Sequence, residues 1–250
     1  MNKLREFKFN KIYELADLID NSVKSEVEFW NYNEEYFIEA ATKFSKDSLL
    51  HQYIATTSIN FYRRDIRKNP ENYFDESVEE WYTQFESYGV NFERKTIDID
   101  NEAWALEWFE KSIYAFQELF DKMANEAFHL LFANRQFLLA FNKLASLTIK
   151  EISIPEKFLT KKGTIKRVSI PQWVKVAVFH RDKGRCVFCN TDLTGLVNTL
   201  TNSNYDHIVP LDLYGTNDPS NIQLLCETCN KTKNNRDSST SNKYIPWWTN

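Results

Sequence analysis

Apolar residues recur every three or four positions through most of the first 150 residues, a spacing that gathers them on one face of a helix. Ile12, Leu15, Ile19, Val23 and Val27 mark the first such face, between about residues 11 and 30. Similar patterns predict helices at about 34–44, 47–67 and 77–88. Asn69-Pro70 ends the third, because the residue before proline avoids the helical region, and Gly89 ends the fourth. Phe92 to Ile99 reads as a short extended connection, with Asp100 and Asn101 capping the next element. Residues 101–147 hold neither glycine nor proline, while Trp104, Trp108, Ile113, Phe116, Phe120, Phe128, Phe132, Leu138, Phe141 and Leu144 keep a broad apolar stripe. That run predicts one very long helix or a break near Asn125 or Asn134, and either version gives a helical bundle.

The periodicity stops near residue 148. Residues 151–169 bring in Pro155, Gly163 and the cations Lys161, Lys162, Lys166 and Arg167, and read as a basic linker with a short strand. A helix then starts at Ser169-Ile170-Pro171, with proline tolerated in its first turn, and runs through Trp173, Val174, Ala177 and Val178 towards Arg181. The predicted organisation is a helical domain over 1–150, a linker over 151–169 and a small module over 170–250.

Composition agrees with that division. Of the 38 aromatic residues 29 precede residue 151, in a stretch with one of the five glycines and one of the six prolines, which is the composition of a packed helical core. Residues 1–150 carry 18 Lys+Arg against 26 Asp+Glu, a charge of about −8; residues 151–250 carry 13 against 9, about +4. A polyanionic partner is therefore expected on the C-terminal part. No run approaches the roughly 18 apolar residues of a membrane span, and the N-terminal residues contain no long apolar stretch. A soluble, cytoplasmic protein is expected. The five glycines, at 89, 163, 184, 195 and 215, are too scattered for a phosphate-binding G-x-x-x-x-G-K loop.

All four cysteines fall in two C-x-x-C pairs, Cys186/Cys189 and Cys226/Cys229. Two such pairs suit a tetrahedral zinc, and in a reducing compartment metal is the natural reading over disulfide. A zinc there would tie the start of the module to its end and supply folding energy that so small a core lacks.

Between the pairs lie Tyr205-Asp206-His207-Ile208-Val209-Pro210-Leu211 and then Asn221-Ile222-Gln223-Leu224-Leu225-Cys226, followed by Cys229-Asn230 and Lys233. This segment, with its lead-in Arg181-Asp182-Lys183-Gly184-Arg185-Cys186, resembles the HNH endonuclease family over about residues 170–237. The resemblance implies a ββα-metal module, so that the expected fold class is α+β, mainly α: an N-terminal helical bundle followed by a zinc-stapled ββα unit. It implies His207 as general base, a neutral imidazole being well populated near pH 7, and Asp206 as a carboxylate ligand to a catalytic ion. Asn230 stands where many members have their last histidine. An amide oxygen suits a hard cation, which shifts the expected catalytic ion to Mg²⁺ or Mn²⁺. By the same analogy Asn221 holds the loop and orients His207.

Arg181, Lys183, Arg185, Lys231, Lys233 and Arg236 flank the segment and are candidates for neutralising phosphates, with Lys233 and Arg236 the better ones. The other histidines, His51, His129 and His180, lie outside the motif and read as structural. Arg63, Arg64, Arg67 and Lys68 complement a helix C-terminus. The resemblance thus implies a metal-dependent endonuclease acting on DNA, with RNA not excluded, and a helical part that selects a protein partner, a target or an oligomeric state. At family level it is similar to effectors of bacterial antiviral and restriction systems and to mobile-element nucleases. A nucleic-acid-binding zinc module without turnover and a protein adaptor are the alternative readings.

Overall fold

In the computed structural model, which describes residues 6–27, 33–74, 76–95, 103–195 and 203–244, the periodic faces become α1 (Ile12–Lys24), α2 (Glu34–Thr42), α3 (Leu49–Lys68), α4 (Glu76–Ser87), α5 (Trp104–Lys111), α6 (Ile113–Ala133) and α7 (Arg135–Glu151). The glycine-free run breaks at Asn134, whose side chain caps α7 by accepting from the backbone N–H of Gln136 and Phe137, both at 3.1 Å. It breaks again at Ser112, which no periodicity marks. The connection expected over 92–99 has no regular structure up to residue 95; its remainder and the Asp100–Asn101 cap lie outside the described residues. Downstream follow α8 (Gln172–Arg181), β1 (Ser203–His207), β2 (Ile222–Cys226) and α9 (Glu227–Lys233). The chain is mainly helical, with a small antiparallel sheet near its C-terminus where the cysteines gather.

Two compact units emerge. The first comprises Met1–Ser22 and His51–Leu130. Its core is aromatic: Tyr82, Phe85, Trp108, Phe109, Phe116 and Phe120 are fully buried. Tyr82 and Trp108 meet edge to face, and the indole N–H donates to the Tyr82 hydroxyl at 3.1 Å, so the polar edge of the cluster is satisfied. Glu126 is buried there as well. Its carboxylate accepts from the backbone N–H of Lys8 and Phe9 and from the Tyr88 hydroxyl, which is how a buried charge is tolerated and how the N-terminal segment is tied down.

The second unit comprises Val23–Leu50 and Leu131–Asn250. This corrects the expected boundary at residue 150, and residues 151–169 are part of a packed body instead of a spacer. The reason is hydrogen bonding that a charge split cannot reveal. The Asn217 N–H donates to Ala41 O at 2.8 Å, the Asp218 carboxylate accepts from the Leu49 N–H at the start of α3, also at 2.8 Å, and Asn142 on α7 bonds the Ser220 hydroxyl.

A buried carboxylate organises the centre of this unit. Asp182, following α8, accepts from Arg181 at 2.8 and 2.9 Å, from the Leu224 N–H at 3.0 Å and from Arg135 on α7 at 3.4 Å. Arg181 also donates to Ile222 O, and Arg135 to Ser241 O and Lys243 O. One anion thus locks α7, α8, β2 and the C-terminal segment together, and removing it would leave two buried guanidinium groups uncompensated, at a penalty of about 3–5 kcal/mol.

Asp218 gives a test of this packing. Its burial is complete and pushes its pKa up from 3.8 to about 6, against the pull of the Ser220 and Leu49 N–H groups; Asp47 adds to the rise. A carboxyl whose folded pKa lies above the unfolded value favours the folded state while protonated, so its contribution is lost as pH rises through about 4 to 6. Replacing Asp218 by Asn removes that titration. The stability of the variant relative to the parent is expected to improve by about 2–3 kcal/mol between pH 4 and pH 7, read from chemical denaturation at each pH.

Candidate functional site

Cys186 and Cys189 sit on a turn after α8 that Asn190 closes in the left-handed conformation, with its N–H donating to Cys186 O at 2.8 Å. The turn is pinned to β2 by the Val187 N–H bonding Leu224 O at 3.1 Å. Cys226 ends β2 and caps α9, its sulfur accepting from the Cys229 N–H. These two turns bring all four Sγ atoms within 4.8 Å of one another, with Cys189 and Cys226 at 3.7 Å. Four bonds of about 2.3 Å in a tetrahedron place sulfurs roughly 3.8 Å apart, so the cluster fits zinc.

Burial pushes Cys186 and Cys229 up, and neighbouring sulfurs push Cys229 further. In Cys189 burial is outweighed by hydrogen bonds from the Thr191 hydroxyl and backbone and from Cys186 and Cys226, which bring it to about 6. Four thiolates this close cannot all ionise unless a cation neutralises them, and binding one releases protons.

β1 pairs with β2 so that Asp206 faces Gln223 and His207 faces Ile222. Adjacent strand residues point to opposite sides. Asp206 and His207 nevertheless line the same cavity of about 370 Å³, which also takes in Asn230 from α9. The stretch before α8 contributes Thr160, Thr164 and Arg167 to its lining.

The Asp206 carboxylate meets the Lys233 ammonium at 2.9 Å and the Gln223 amide at 3.5 Å. Lys233 is itself buried and also donates to His207 O at 2.8 Å, latching α9 across β1. His207 is only 1% exposed, and neither ring nitrogen has a well-aligned hydrogen-bond partner. Burial drives its pKa down to about 3; the Arg167 and Lys233 charges reinforce the shift, while the nearby Asn217 amide opposes it. The imidazole is therefore neutral at physiological pH.

The loop leaving β1 is held by Asn221. Its amide nitrogen donates to Val209 O and Thr216 O at 2.9 and 3.0 Å, its amide oxygen accepts from the Val209 N–H at 2.8 Å, and its backbone carbonyl accepts from the Ile208 N–H. Gly215 is required by close approach: a Cβ there would lie 1.9 Å from Val209 O.

Among the expected phosphate contacts, two are corrected. Arg181 and Lys233 have side chains about 2% exposed and direct their charges inward, to Asp182 and to Asp206 respectively. Arg185 is half-buried and donates to Asn190 O, and exposed Lys231 pairs with Glu227 four residues earlier. Lys183 and Arg236 are exposed. None of these six lines the cavity; the basic side chain on its wall, among the described residues, is Arg167. Sequence reasoning placed Arg167 in a linker, and only the turn signature Thr160-Lys161-Lys162-Gly163-Thr164 hinted otherwise. His51 stacks on Phe128 at 4.1 Å and His129 packs against Phe7, so both are structural.

Residues 186–236 match the family model described as HNH endonuclease, and the N-terminal region matches no family model. No curated protein and no solved structure matches the chain. The matched stretch contains both cysteine pairs, Asp206, His207, Asn221 and Asn230. Together with the thiol cluster it points to a nuclease-type, nucleic-acid-related function with a metal site. Among the described residues no helix is long and apolar enough to cross a membrane.

Two outcomes follow for the scaffold. Purified protein is expected to carry one zinc per chain by elemental analysis, and Cys226→Ser to lose it and melt about 10 °C lower, as a loss of a few kcal/mol implies. Asn221→Ala strands the Val209 N–H and two carbonyls in the interior, and denaturant titration should show a loss of about 2–4 kcal/mol.

Proposed function

We propose that the second unit is a metal-dependent endonuclease that hydrolyses phosphodiester bonds in DNA, the same chemistry being open to RNA. The observation that supports this most is the convergence of Asp206, His207 and Asn230 on one cavity, with a neutral imidazole that has no well-aligned partner on either nitrogen.

Hydrolysis needs a deprotonated water opposite the leaving oxygen and positive charge on the phosphate as it becomes pentavalent. His207, unprotonated at physiological pH, takes the water proton on a ring nitrogen, and Asn221 keeps the strand end that carries it in place. The Asp206 carboxylate and the Asn230 amide oxygen offer two hard donors, and one or two protein oxygens completed by water and phosphate suit Mg²⁺ or Mn²⁺. A divalent ion bound there supplies charge to the phosphate and the departing oxygen. Lys233, already paired with Asp206, holds that carboxylate in place.

One observation favours the alternative of a zinc module that binds nucleic acid without cutting it: the Lys233 ammonium already neutralises Asp206. Plasmid cleavage decides. With Mg²⁺ or Mn²⁺ the intact protein is expected to nick or linearise supercoiled DNA, and His207→Ala to lower the rate by about 10²- to 10⁴-fold with zinc content unchanged. Binding without cleavage in either metal, and no effect of His207→Ala, would establish the non-cutting module.

A further inference from the structure

The segment expected to be a linker is a built hairpin. Leu159 and Ile165 form an antiparallel bridge, the Thr160 N–H donates to Thr164 O at 2.8 Å, and the Gly163 N–H returns to Thr160 O at 3.0 Å. Gly163, at φ +76°, supplies the left-handed position that a three-residue hairpin loop demands. The Thr160 hydroxyl accepts from the Lys162 N–H and meets the Thr164 hydroxyl, which stiffens the turn. Its base is fixed as well: Lys166 N–H donates to Phe158 O, and Lys166 O accepts from the buried Asn217 amide.

This hairpin has two functional faces. Thr160, Thr164, Ile165 and Arg167 line the same cavity as Asp206, His207 and Asn230. Lys161 and Lys162 are exposed on its tip, and Lys166 on its return leg. A charge run is usually a solvated surface, but here it sits on a hydrogen-bonded turn that also contributes to the cavity lining. It also lies outside residues 186–236, so nothing in the family match assigns it a role.

We infer that the 159–167 hairpin is the nucleic-acid clamp of this protein: Arg167 engages the phosphate presented to His207, and Lys161 and Lys162 hold phosphates further along the same strand. The proposal rests on the nuclease reading above and names the surface that gives it a substrate. The contacts are to backbone phosphate, so they set affinity and register without reading bases.

The test uses the intact chain and labelled DNA duplexes and single strands, without added divalent ion so that binding is read apart from cutting. Lys161→Gln/Lys162→Gln is expected to weaken binding about tenfold near 0.15 M salt and to flatten the dependence of log affinity on log salt by roughly 1.5 to 2, one neutralised phosphate per lysine. In cleavage assays the same variant raises KM, whereas Arg167→Gln lowers kcat at saturating DNA and Arg167→Lys restores part of it. Unchanged affinity and salt slope in the lysine variant, with wild-type binding intact, would overturn the clamp and leave the nuclease reading standing. Absence of any DNA binding by the unaltered protein would remove both.

Discussion

The position of the reactive residues depends on how the chain between β1 and β2 is closed. Asn221 spends its whole side-chain amide on that loop and its carbonyl on Ile208, and the resulting staple sets where the two strands begin to pair. Strand side chains alternate, so a slip of one residue would exchange the faces of Asp206 and His207 and break the present pairing of Asp206 with Lys233 and Gln223. The sulfur cluster performs the matching task at the other end of the sheet, where Cys226 both finishes β2 and starts α9. Between these two anchors five residue pairs have a single register available to them.

The cysteine cluster was readable because its ligands are local. Two C-x-x-C pairs carry their meaning in spacing, and the helices of the first 150 residues carry theirs in periodicity. Boundaries were less accessible. The α7 start at Asn134 has a capping side chain that a sequence reveals, whereas the interruption at Ser112 depends on packing. Nor did any pattern show that α2 and α7 pack with the C-terminal module: that follows from bonds such as Asn217 to Ala41 and Asn142 to Ser220, formed by residues with no distinguishing neighbourhood.

Charge misled in a specific way. Arg181 and Lys233 stand beside the motif in sequence, which invites a phosphate reading, yet each compensates a carboxylate inside the fold. Arg167 precedes Asp206 by 39 residues and Asn230 by 63, and it reaches the cavity wall on a segment held by a turn and by the Asn217 amide. Whether a cation is structural or available is decided by which anions the fold buries, and Asp182 and Asp206 are the ones that claim these two.

The Asn217 side chain joins Thr42 O to the body of the second unit across 175 residues of chain. During synthesis at about 5–20 residues per second, residues 33–50 therefore emerge roughly 10–30 s before the groups they pair with. The helix at Glu34–Thr42 spends that interval with those partners still untranslated, kept by local contacts such as its cap at Asn33 and the Glu39–Lys43 ion pair. A finished cavity thus awaits synthesis through Asn235, the last residue in sequence to line it.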